Sequence, residues 1–280
     1  MELNRQVVAA FYQFVSLPDY KQLREVVFRL CQEHQIKGTI LLAAEGMNGT
    51  ISGLRSDIDA VFNFLRSDPR LADLQHKTSF AEAPPFDRLK VRLKKEIVTI
   101  GLPEVDPLKC VGTYVPPQNW NALIAEPDVT LIDTRNNYEV SVGTFKGAQN
   151  PQLHTFREFP EYVRTHLDPN THKRVALFCT GGIRCEKATS FLIDQGFEEV
   201  YHLEGGILKY LEDTPTSESL WEGECFVFDH RVTVDQNLAV GTHSRCRRCG
   251  DPISRHELTS SHYQPGISCP HCYRIESESC

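Results

Sequence analysis

The sequence has no excess of positive charge. Its 280 residues include 37 acidic and 30 basic side chains, which gives a formal net charge of −7. A protein that coats nucleic acid without selectivity gains its affinity by neutralising phosphates, so this balance argues against that class. A local basic patch remains compatible with this net charge. Hydrophobic residues at 40% and charged residues at 24% are ordinary for a globular protein.

The sequence predicts no segment that directs the chain to a membrane or to export. The apolar stretch near the start, residues 7–17, is interrupted by Gln13 and ends at Pro18, so it is too short to span a bilayer. The residues before it carry too little positive charge for a signal peptide. We therefore expect a cytoplasmic protein with no membrane partner. The sequence contains no internal repeat and no low-complexity tract.

The spacing of apolar residues predicts a multidomain α/β protein with three regions. Residues 1–105 have the order strand, helix, two strands, helix, strand, which is typical of a ferredoxin-like or acylphosphatase-like domain. Asp19 is expected to cap its first helix, and the basic segment 88–101 is expected to be its last strand. Residues 106–218 alternate apolar strands with helices, which predicts a parallel sheet. Residues 219–280 form a small C-terminal region.

A loop with the sequence CTGGIR joins an apolar strand to a helix. Functional sites in parallel sheets lie at the carboxyl ends of strands, which is where this loop begins. Its two glycines allow successive backbone N–H groups to point at one centre, and the helix start adds partial positive charge. Arg184 closes this cradle or braces it from outside. We therefore predict that Cys179 is a catalytic thiolate. The rest of the active loop is predicted to be Thr180, Gly181, Gly182 and Ile183.

The length of the loop favours sulfur or redox chemistry. Four residues separate Cys179 from Arg184, one fewer than in phosphatase loops of the CxxxxxR kind. Cys185 follows directly and is predicted to act as a resolving thiol that attacks an oxidised or persulfidated Cys179. The alternative is a small side chain packing under the loop. Lys187, two residues further on, is interpreted as a solvated residue of the helix start.

Three segments resemble rhodanese domains. Residues 132–151 resemble the strand-and-turn signature, CTGGIR resembles the active loop, and residues 202–207 resemble the closing strand with its paired glycines. The signature positions are occupied by Asp133, Arg135, Glu139, Gly143, Gly147 and Ala148. We interpret Asp133 and Arg135 as a structural ion pair that supports the sheet edge and the loop. Val142 departs from the pattern, since many rhodaneses have histidine there.

The resemblance extends over nearly the whole chain. Residues 41–53, 179–188 and 221–231, together with the C-terminal CxxC pairs, resemble the bacterial rhodanese-domain tRNA uridine hydroxylase family. That resemblance implies hydroxylation of the wobble uridine, position 34, to 5-hydroxyuridine, with molecular oxygen as co-substrate and the tRNA anticodon region as partner. By position, Cys179 matches the catalytic cysteine. No flavin or iron motif is evident, and the sequence leaves the activation of oxygen and the oligomeric state open.

Two other functions remain open at this point. The loop also suits a rhodanese-type sulfurtransferase, in which Cys179 carries a persulfide to an acceptor. A non-enzymatic adaptor is disfavoured, because the cysteine, glycines and arginine of the loop are intact.

Two CxxC pairs near the C-terminus predict a structural zinc site. Nineteen residues separate the pairs, and four thiolates complete a closed tetrahedral Zn²⁺ site. The alternative is a set of reduced, unliganded thiols. The predicted ligands are Cys246, Cys249, Cys269 and Cys272.

Two groups of basic residues are candidates for tRNA contacts. Alternation along the basic strand puts four of them on one face, and two more lie in the first CxxC knuckle. The alternative is an ordinary solvated surface. The candidates are Arg88, Lys90, Arg92, Lys94, Arg247 and Arg248.

Overall fold

The computed structural model describes residues 6–277. The first five residues of the predicted N-terminal region and the last three of the predicted C-terminal region, including Cys280, lie outside the described residues. The described residues form two compact units. Unit 1 contains the chain up to Gly112 together with Glu186–Gln195. Unit 2 contains Thr113–Cys185 and the chain from Gly196 onward, so the C-terminal region belongs to unit 2. No helix within the described residues is long and apolar enough to cross a membrane.

Unit 1 contains a five-stranded sheet and two helices from its N-terminal part. Both helices have apolar residues at helical spacing, which pack against one face of the sheet. The elements are β1 (Gln6–Phe14), α1 (Tyr20–Glu33), β2 (Lys37–Ala43), β3 (Gly46–Gly53), α2 (Arg55–Arg66), β4 (His76–Ala81) and β5 (Leu89–Leu93).

The strand order confirms the ferredoxin-like fold and corrects one strand. The sheet order is β4-β1-β3-β2-β5, and its first four strands are antiparallel neighbours in the ferredoxin-like arrangement. The strand that closes this set is His76–Ala81, not the basic segment. The basic strand Leu89–Leu93 is an additional edge strand that pairs in parallel with β2.

The core of unit 1 lies between the sheet and its helices. Alternate residues of β1 and β3 face α1 and α2, because successive side chains of a strand point to opposite faces. Phe11 and Phe62 meet edge to face there, with ring centroids 5.2 Å apart. Asp19 is the N-cap residue of α1, but its side chain makes no capping hydrogen bond. Its carboxylate instead accepts a hydrogen bond from Arg70 Nη2 at 3.0 Å.

Lys187 is buried in unit 1, so its interpretation as a solvated residue is wrong. Its side chain is 1% exposed, and its ammonium lies 2.8 Å from a carboxylate oxygen of Glu45 and 2.7 Å from one of Glu96. The two carboxylates also accept backbone N–H groups of the segment 97–101. A buried ammonium requires such compensation.

Unit 2 combines a parallel sheet with several short hairpins. Its helices follow the strands in the alternating order that the sequence predicts. The elements are β6 (Thr113–Val115), α3 (Pro117–Ile124), β7 (Val129–Asp133), α4 (Asn137–Val140), β8 (Gly143–Phe145), α5 (Phe159–His166), β9 (Arg174–Phe178), α6 (Ile183–Asp194, of which residues from Glu186 belong to unit 1), β10 (Glu199–Leu203), α7 (Gly206–Asp213), β11 (Trp221–Gly223), β12 (Cys225–Phe226), β13 (Thr233–Val234), β14 (Ser244–Arg245), β15 (Pro252–Ile253) and α8 (Pro270–Ser277).

The parallel sheet of unit 2 has the order β6-β10-β9-β7, which confirms the rhodanese-like architecture. Its central strand β9 is buried along four of its five residues, as expected for a strand covered on both faces. Beside this sheet, Phe145 packs edge to face against Phe178, Tyr210 and Trp221. The segment after α7 thus contributes to the same core, because Trp221 belongs to it.

Candidate active site and metal centre

The active loop starts where β9 ends and is held by its neighbours on both sides. The backbone N–H and the hydroxyl of Thr134 both donate to the carbonyl of Phe178, at 3.1 and 2.9 Å. The N–H of Ile207, in the first turn of α7, donates to the carbonyl of Cys179 at 2.9 Å. Gly206 permits this approach, because a Cβ there would lie 2.5 Å from the Cys179 carbonyl oxygen and its φ is +67°. The paired glycines therefore shape the loop.

The sulfur of Cys179 lies within a ring of backbone N–H groups. Gly182, with φ at +103°, donates its N–H to Sγ at 3.1 Å. The N–H groups of Arg184 and Cys185 also donate to this sulfur. Successive N–H groups aimed at one atom form a nest for an anion. The arrangement is the one that the loop sequence predicts.

The two thiols of the loop have opposite pKa shifts. Burial raises the pKa of the Cys179 thiol, but the hydrogen bond from Cys185, the charge of Arg184 and the backbone N–H groups outweigh it, so the pKa is lowered. Burial and the neighbouring Cys179 raise the pKa of Cys185. Hence Cys179 is the thiolate, and Cys185 keeps its proton and donates it in the hydrogen bond.

Arg184 braces the loop from outside instead of closing the cradle over a ligand. Its Nη1 and Nη2 donate to the two carboxylate oxygens of Glu139 at 2.6 and 2.8 Å. Glu139 is fully buried and also accepts from the Thr180 hydroxyl at 3.3 Å and the Asn136 N–H at 3.2 Å. Sequence analysis missed this role of Glu139. The spacing of Asn136 and Glu139, which form a capping box at α4, is the local signal that places this carboxylate.

Asp133 and Arg135 form a second ion pair, which is fully buried. Arg135 Nη2 lies 2.6 Å from Asp133 Oδ2, and the guanidinium also donates to the carbonyls of Glu139 and Gly143. Its Cζ lies 5.0 Å from the ring centroid of Trp221. These contacts tie the end of β7 to α4 and β11, which is consistent with a structural role.

Access to the sulfur is restricted. Cys179 has no exposed surface, whereas Gly181 and Ile183 are half-buried. A Cβ built on Gly181 would meet no atom within 4 Å. The open side of the loop in unit 2 is therefore at Gly181.

Cys225, in the motif WEGECFVFDHR, differs from the loop cysteines. It is fully buried, and burial raises the pKa of its thiol to about 12. It is protonated at neutral pH and behaves as a small apolar core residue.

The four C-terminal cysteines of the two CxxC pairs come together in unit 2. Their sulfur atoms all lie within 4.8 Å of one another. Cys269 Sγ lies 3.7 Å from Cys249 Sγ and 3.7 Å from Cys272 Sγ. A tetrahedral site with zinc–sulfur bonds of about 2.3 Å has sulfur–sulfur edges of about 3.8 Å. The thiols thus have the spacing that a four-coordinate metal requires, and they are the residues predicted to be ligands.

A carboxylate connects the start of this knuckle to the preceding motif. Glu224 accepts hydrogen bonds from the hydroxyls of Thr233 and Thr242 and from His243. Burial raises the pKa of Glu224, but these donors outweigh it and lower the pKa to about 2. His243 is therefore engaged by a carboxylate near the knuckle.

The candidate RNA-binding residues fall in separate units. In unit 1, Arg88, Arg92 and Lys94 are exposed and Lys90 is half-buried, while Val91 faces the core. In unit 2, Arg247 and Arg248 are exposed; Arg248 Nη1 donates to the Ile267 carbonyl at 3.1 Å. The structure leaves the role of these six residues as a prediction.

A comparison with proteins of known function decides the family. The chain is 60% identical over 266 residues to a protein of Picosynechococcus sp. named tRNA uridine(34) hydroxylase, and the alignment covers 95% of this chain and 89% of that protein. The chain belongs to the tRNA uridine(34) hydroxylase family. Residues 6–97 match the UPF0176 acylphosphatase like domain, 117–213 the Rhodanese-like domain and 222–280 the Rhodanase C-terminal family.

Two solved structures each resemble a part of the chain of this hydroxylase family member. The solution structure of a rhodanese-like domain from an Anabaena sp. protein is 19% identical, with a TM-score of 0.33, and covers 40% of this chain and 80% of that one. A Rhodopseudomonas palustris protein described as a possible tyrosine phosphatase is 23% identical, with a TM-score of 0.32, over 38% of this chain and 83% of that one. The family assignment does not depend on either.

Proposed function

We propose that this protein hydroxylates uridine 34 of tRNA to 5-hydroxyuridine, with molecular oxygen as co-substrate and Cys179 as the nucleophile. The observation that carries the proposal is the stabilised thiolate of Cys179 in a chain 60% identical to a protein named tRNA uridine(34) hydroxylase. Because C5 of a stacked base is shielded, the uridine enters the site unstacked.

The thiolate activates the uridine ring by adding to C6. The new sulfur–carbon bond moves the electron pair of the C5–C6 double bond toward C5 and O4, which makes C5 nucleophilic. The hydrogen bond from Cys185, the charge of Arg184 and the nest of N–H groups keep the free cysteine ionised before this step. The Glu139–Arg184 pair acts as a positioning element, because it holds both ends of the loop without contacting the base.

Cys185 supplies the second thiol that the electron balance needs. One oxygen atom replaces the hydrogen at C5, and the other leaves as water, which consumes two electrons and two protons. The nucleophilic C5 adds to O2 and, with a proton, gives a hydroperoxide on C5. The Cys185 thiol attacks its outer oxygen, which breaks the O–O bond and leaves a hydroxyl group on C5 and a sulfenic acid on Cys185. Loss of the C5 proton then releases Cys179 from C6 as thiolate, and this thiolate displaces the sulfenic oxygen as water and forms the Cys179–Cys185 disulfide. Uridine, O2 and two thiols thus give 5-hydroxyuridine, water and a disulfide, which an external dithiol reduces before the next turnover.

The remaining parts of the chain support binding and folding in this proposal. A zinc ion held by the four C-terminal cysteines stabilises the knuckle and does no chemistry, because a closed four-thiolate site has no open position. The basic residues of segment 88–94 and of the knuckle, which are the six candidates named above, contact tRNA phosphates around the anticodon. We place the protein in the cytoplasm, where its tRNA substrate is.

A sulfurtransferase is the second candidate, and the nest of N–H groups favours it as well. A persulfide on Cys179 carries negative charge on its terminal sulfur, which the same nest stabilises. The two candidates differ in what they need: the hydroxylase needs tRNA and oxygen, whereas the sulfurtransferase needs a sulfur donor and an acceptor.

Mass spectrometry of tRNA nucleosides from cells with and without this gene tests the proposal. We expect the 5-hydroxyuridine-derived signal to disappear on deletion and to return with the wild-type gene but not with Cys179→Ser. Cys225→Ser is the matched control, because that buried thiol lies outside the loop, and it should restore the signal. An unchanged nucleoside profile, in cells lacking a redundant pathway, would contradict the proposal and favour sulfur transfer.

A further inference from the structure

Phe228, in the motif WEGECFVFDHR, presents its ring to solvent, although the residues on either side of it are buried. It is 53% exposed, whereas Val227 is 5% and Asp229 is 3% exposed. A single exposed apolar residue is common and carries no argument alone. The structure of the turn around Phe228 supports a binding role.

The turn that carries Phe228 is strained and firmly braced. Val232 has φ at +64°, in the left-handed region that β-branched residues rarely adopt. The N–H of Val227 donates to the carbonyl of Val232 at 2.9 Å, and that of Val232 to the carbonyl of Asp229 at 3.1 Å. The buried Asp229 carboxylate accepts from the backbone and the guanidinium of Arg231. Strained backbone held in this way is concentrated at binding sites.

Phe228 is the outer end of a row of three aromatic rings that begins beside the active loop. We call Tyr138, Phe226 and Phe228 the aromatic row. The Phe228 and Phe226 centroids are 5.2 Å apart with ring planes at 82°, and those of Phe226 and Tyr138 are 5.2 Å apart at 78°. Tyr138 directly precedes Glu139, which binds Arg184 of the loop.

An exposed arginine, Arg245, lies near the aromatic row. The Arg245 guanidinium lies 5.9 Å from the Phe226 centroid, and its Nε donates to the Gly250 carbonyl at 3.0 Å. Burial raises the pKa of the Tyr138 hydroxyl, and the charges of Arg184 and Arg245 oppose that rise. Arg245 is exposed and leaves its charge available to an anionic ligand.

We propose that the exposed face of Phe228 stacks on an unpaired base of the RNA strand that carries the reactive uridine, with Arg245 contacting a phosphate of that strand. Aromatic faces next to guanidinium groups are the combination that binds single-stranded RNA, because bases stack on the ring and phosphates pair with the charge. A purely apolar partner would leave Arg245 unused. The inference rests on the proposed function, since it identifies how the same site holds the strand.

Binding of a fluorescently labelled anticodon stem-loop RNA, followed by anisotropy, tests the stacking directly. Phe228→Ala should weaken the affinity about 5- to 150-fold, the range that corresponds to loss of one stacked base. Phe228→Trp should keep the affinity of the wild type, because the indole ring also stacks. Phe80→Ala is the matched control and should keep the wild-type affinity. Phe80 is 45% exposed and has the Arg55 guanidinium 5.9 Å from its ring, but it lies on β4 of unit 1 and not in the aromatic row.

The outcomes separate this inference from the proposed function. If the wild type hydroxylates tRNA and Phe228→Ala binds the stem-loop as tightly as the wild type, the stacking inference is wrong. If no tRNA is hydroxylated, the proposed function fails, while the affinity ratio of Phe228→Ala to wild type still decides the stacking. Phe228→Ala could instead change self-association, measured by sedimentation, and leave the RNA affinity unchanged. That result would assign the ring to a protein partner and would also overturn the stacking inference.

Discussion

Both carboxylate oxygens of Glu139 accept a hydrogen bond from the guanidinium of Arg184, at 2.6 and 2.8 Å. Arg184 is therefore already paired with a carboxylate of the protein. Burial raises the pKa of the Cys179 thiol, whereas the hydrogen bond from the Cys185 thiol, then the Arg184 charge and then the backbone N–H groups lower it, so Arg184 still acts on the sulfur through its charge. The Glu139–Arg184 pairing keeps the loop rigid before substrate arrives.

Glu139→Gln should destabilise the protein by about 3–5 kcal/mol in the free energy of unfolding, because it leaves the buried guanidinium of Arg184 without its counter-charge. The double variant Glu139→Gln with Arg184→Met should recover most of this loss, since Arg184 then no longer leaves an unpaired guanidinium buried. Urea unfolding followed by circular dichroism measures both. Wild-type stability in Glu139→Gln would show that the ion pair does not hold the loop.

The same carboxylate makes stability depend on pH. Burial raises the pKa of Glu139, but its arginine partners outweigh this and hold the folded value below 4.5. Its contribution is therefore fully present above pH 4.5 and is lost as the pH falls through the lower, folded value. Glu139→Gln should lack this component of the acid dependence in the same urea titrations.

Alanine should lower the melting temperature at only one of two glycines of the site. Gly206→Ala places a Cβ 2.5 Å from the Cys179 carbonyl oxygen at a positive φ, so the loop must shift and the melting temperature should fall. Gly181→Ala meets no atom within 4 Å and should leave the melting temperature unchanged. If the uridine ring occupies the open side at Gly181, that methyl group should nevertheless reduce hydroxylation. Equal melting temperatures for the two variants would contradict the role assigned to Gly206.

Local sequence patterns predicted the parts of the fold that depend on local physics. The apolar strand before Cys179, its glycines and the following helix together determine the nest, so the loop could be predicted from adjacent residues. The CxxC pairs similarly predicted the gathering of four thiols.

Contacts between residues far apart in the chain could not be predicted in this way. Asp19 has the sequence position of a helix cap, but Arg70 takes its carboxylate. Lys187 has the sequence position of a surface residue at a helix start, but the fold places Glu45 and Glu96 next to its ammonium. The closing strand of the first sheet has the polar sequence HKTSFA, which gives a weak strand signal, and only pairing with β1 reveals it.

The proton of Cys185 should set the ionisation of Cys179. Cys185→Ala removes the donated hydrogen bond and should raise the pKa of Cys179, so its alkylation by iodoacetamide should begin at higher pH. Cys185→Ser keeps a hydroxyl donor and should retain much of the low pKa, although it cannot form a disulfide. Trypsin separates Cys179 on 175–184 from Cys185 on 185–187, so mass spectrometry follows each thiol alone. Identical profiles for the wild type and Cys185→Ala would refute this coupling.

The four-cysteine knuckle should contain one zinc ion per chain in the purified protein, because its sulfur atoms already have tetrahedral spacing. Cys269→Ser should lose the metal and unfold the segment around β14 and β15, which has little apolar core of its own. Cys225→Ser, which alters a buried thiol outside the knuckle, should retain the zinc. Elemental analysis by mass spectrometry measures the metal, and limited proteolysis followed by peptide mapping measures the local unfolding. The prediction would be wrong if the purified wild type contained no metal and its C-terminal segment gained no protease resistance when zinc was added. Reduced thiols alone would then hold the knuckle together.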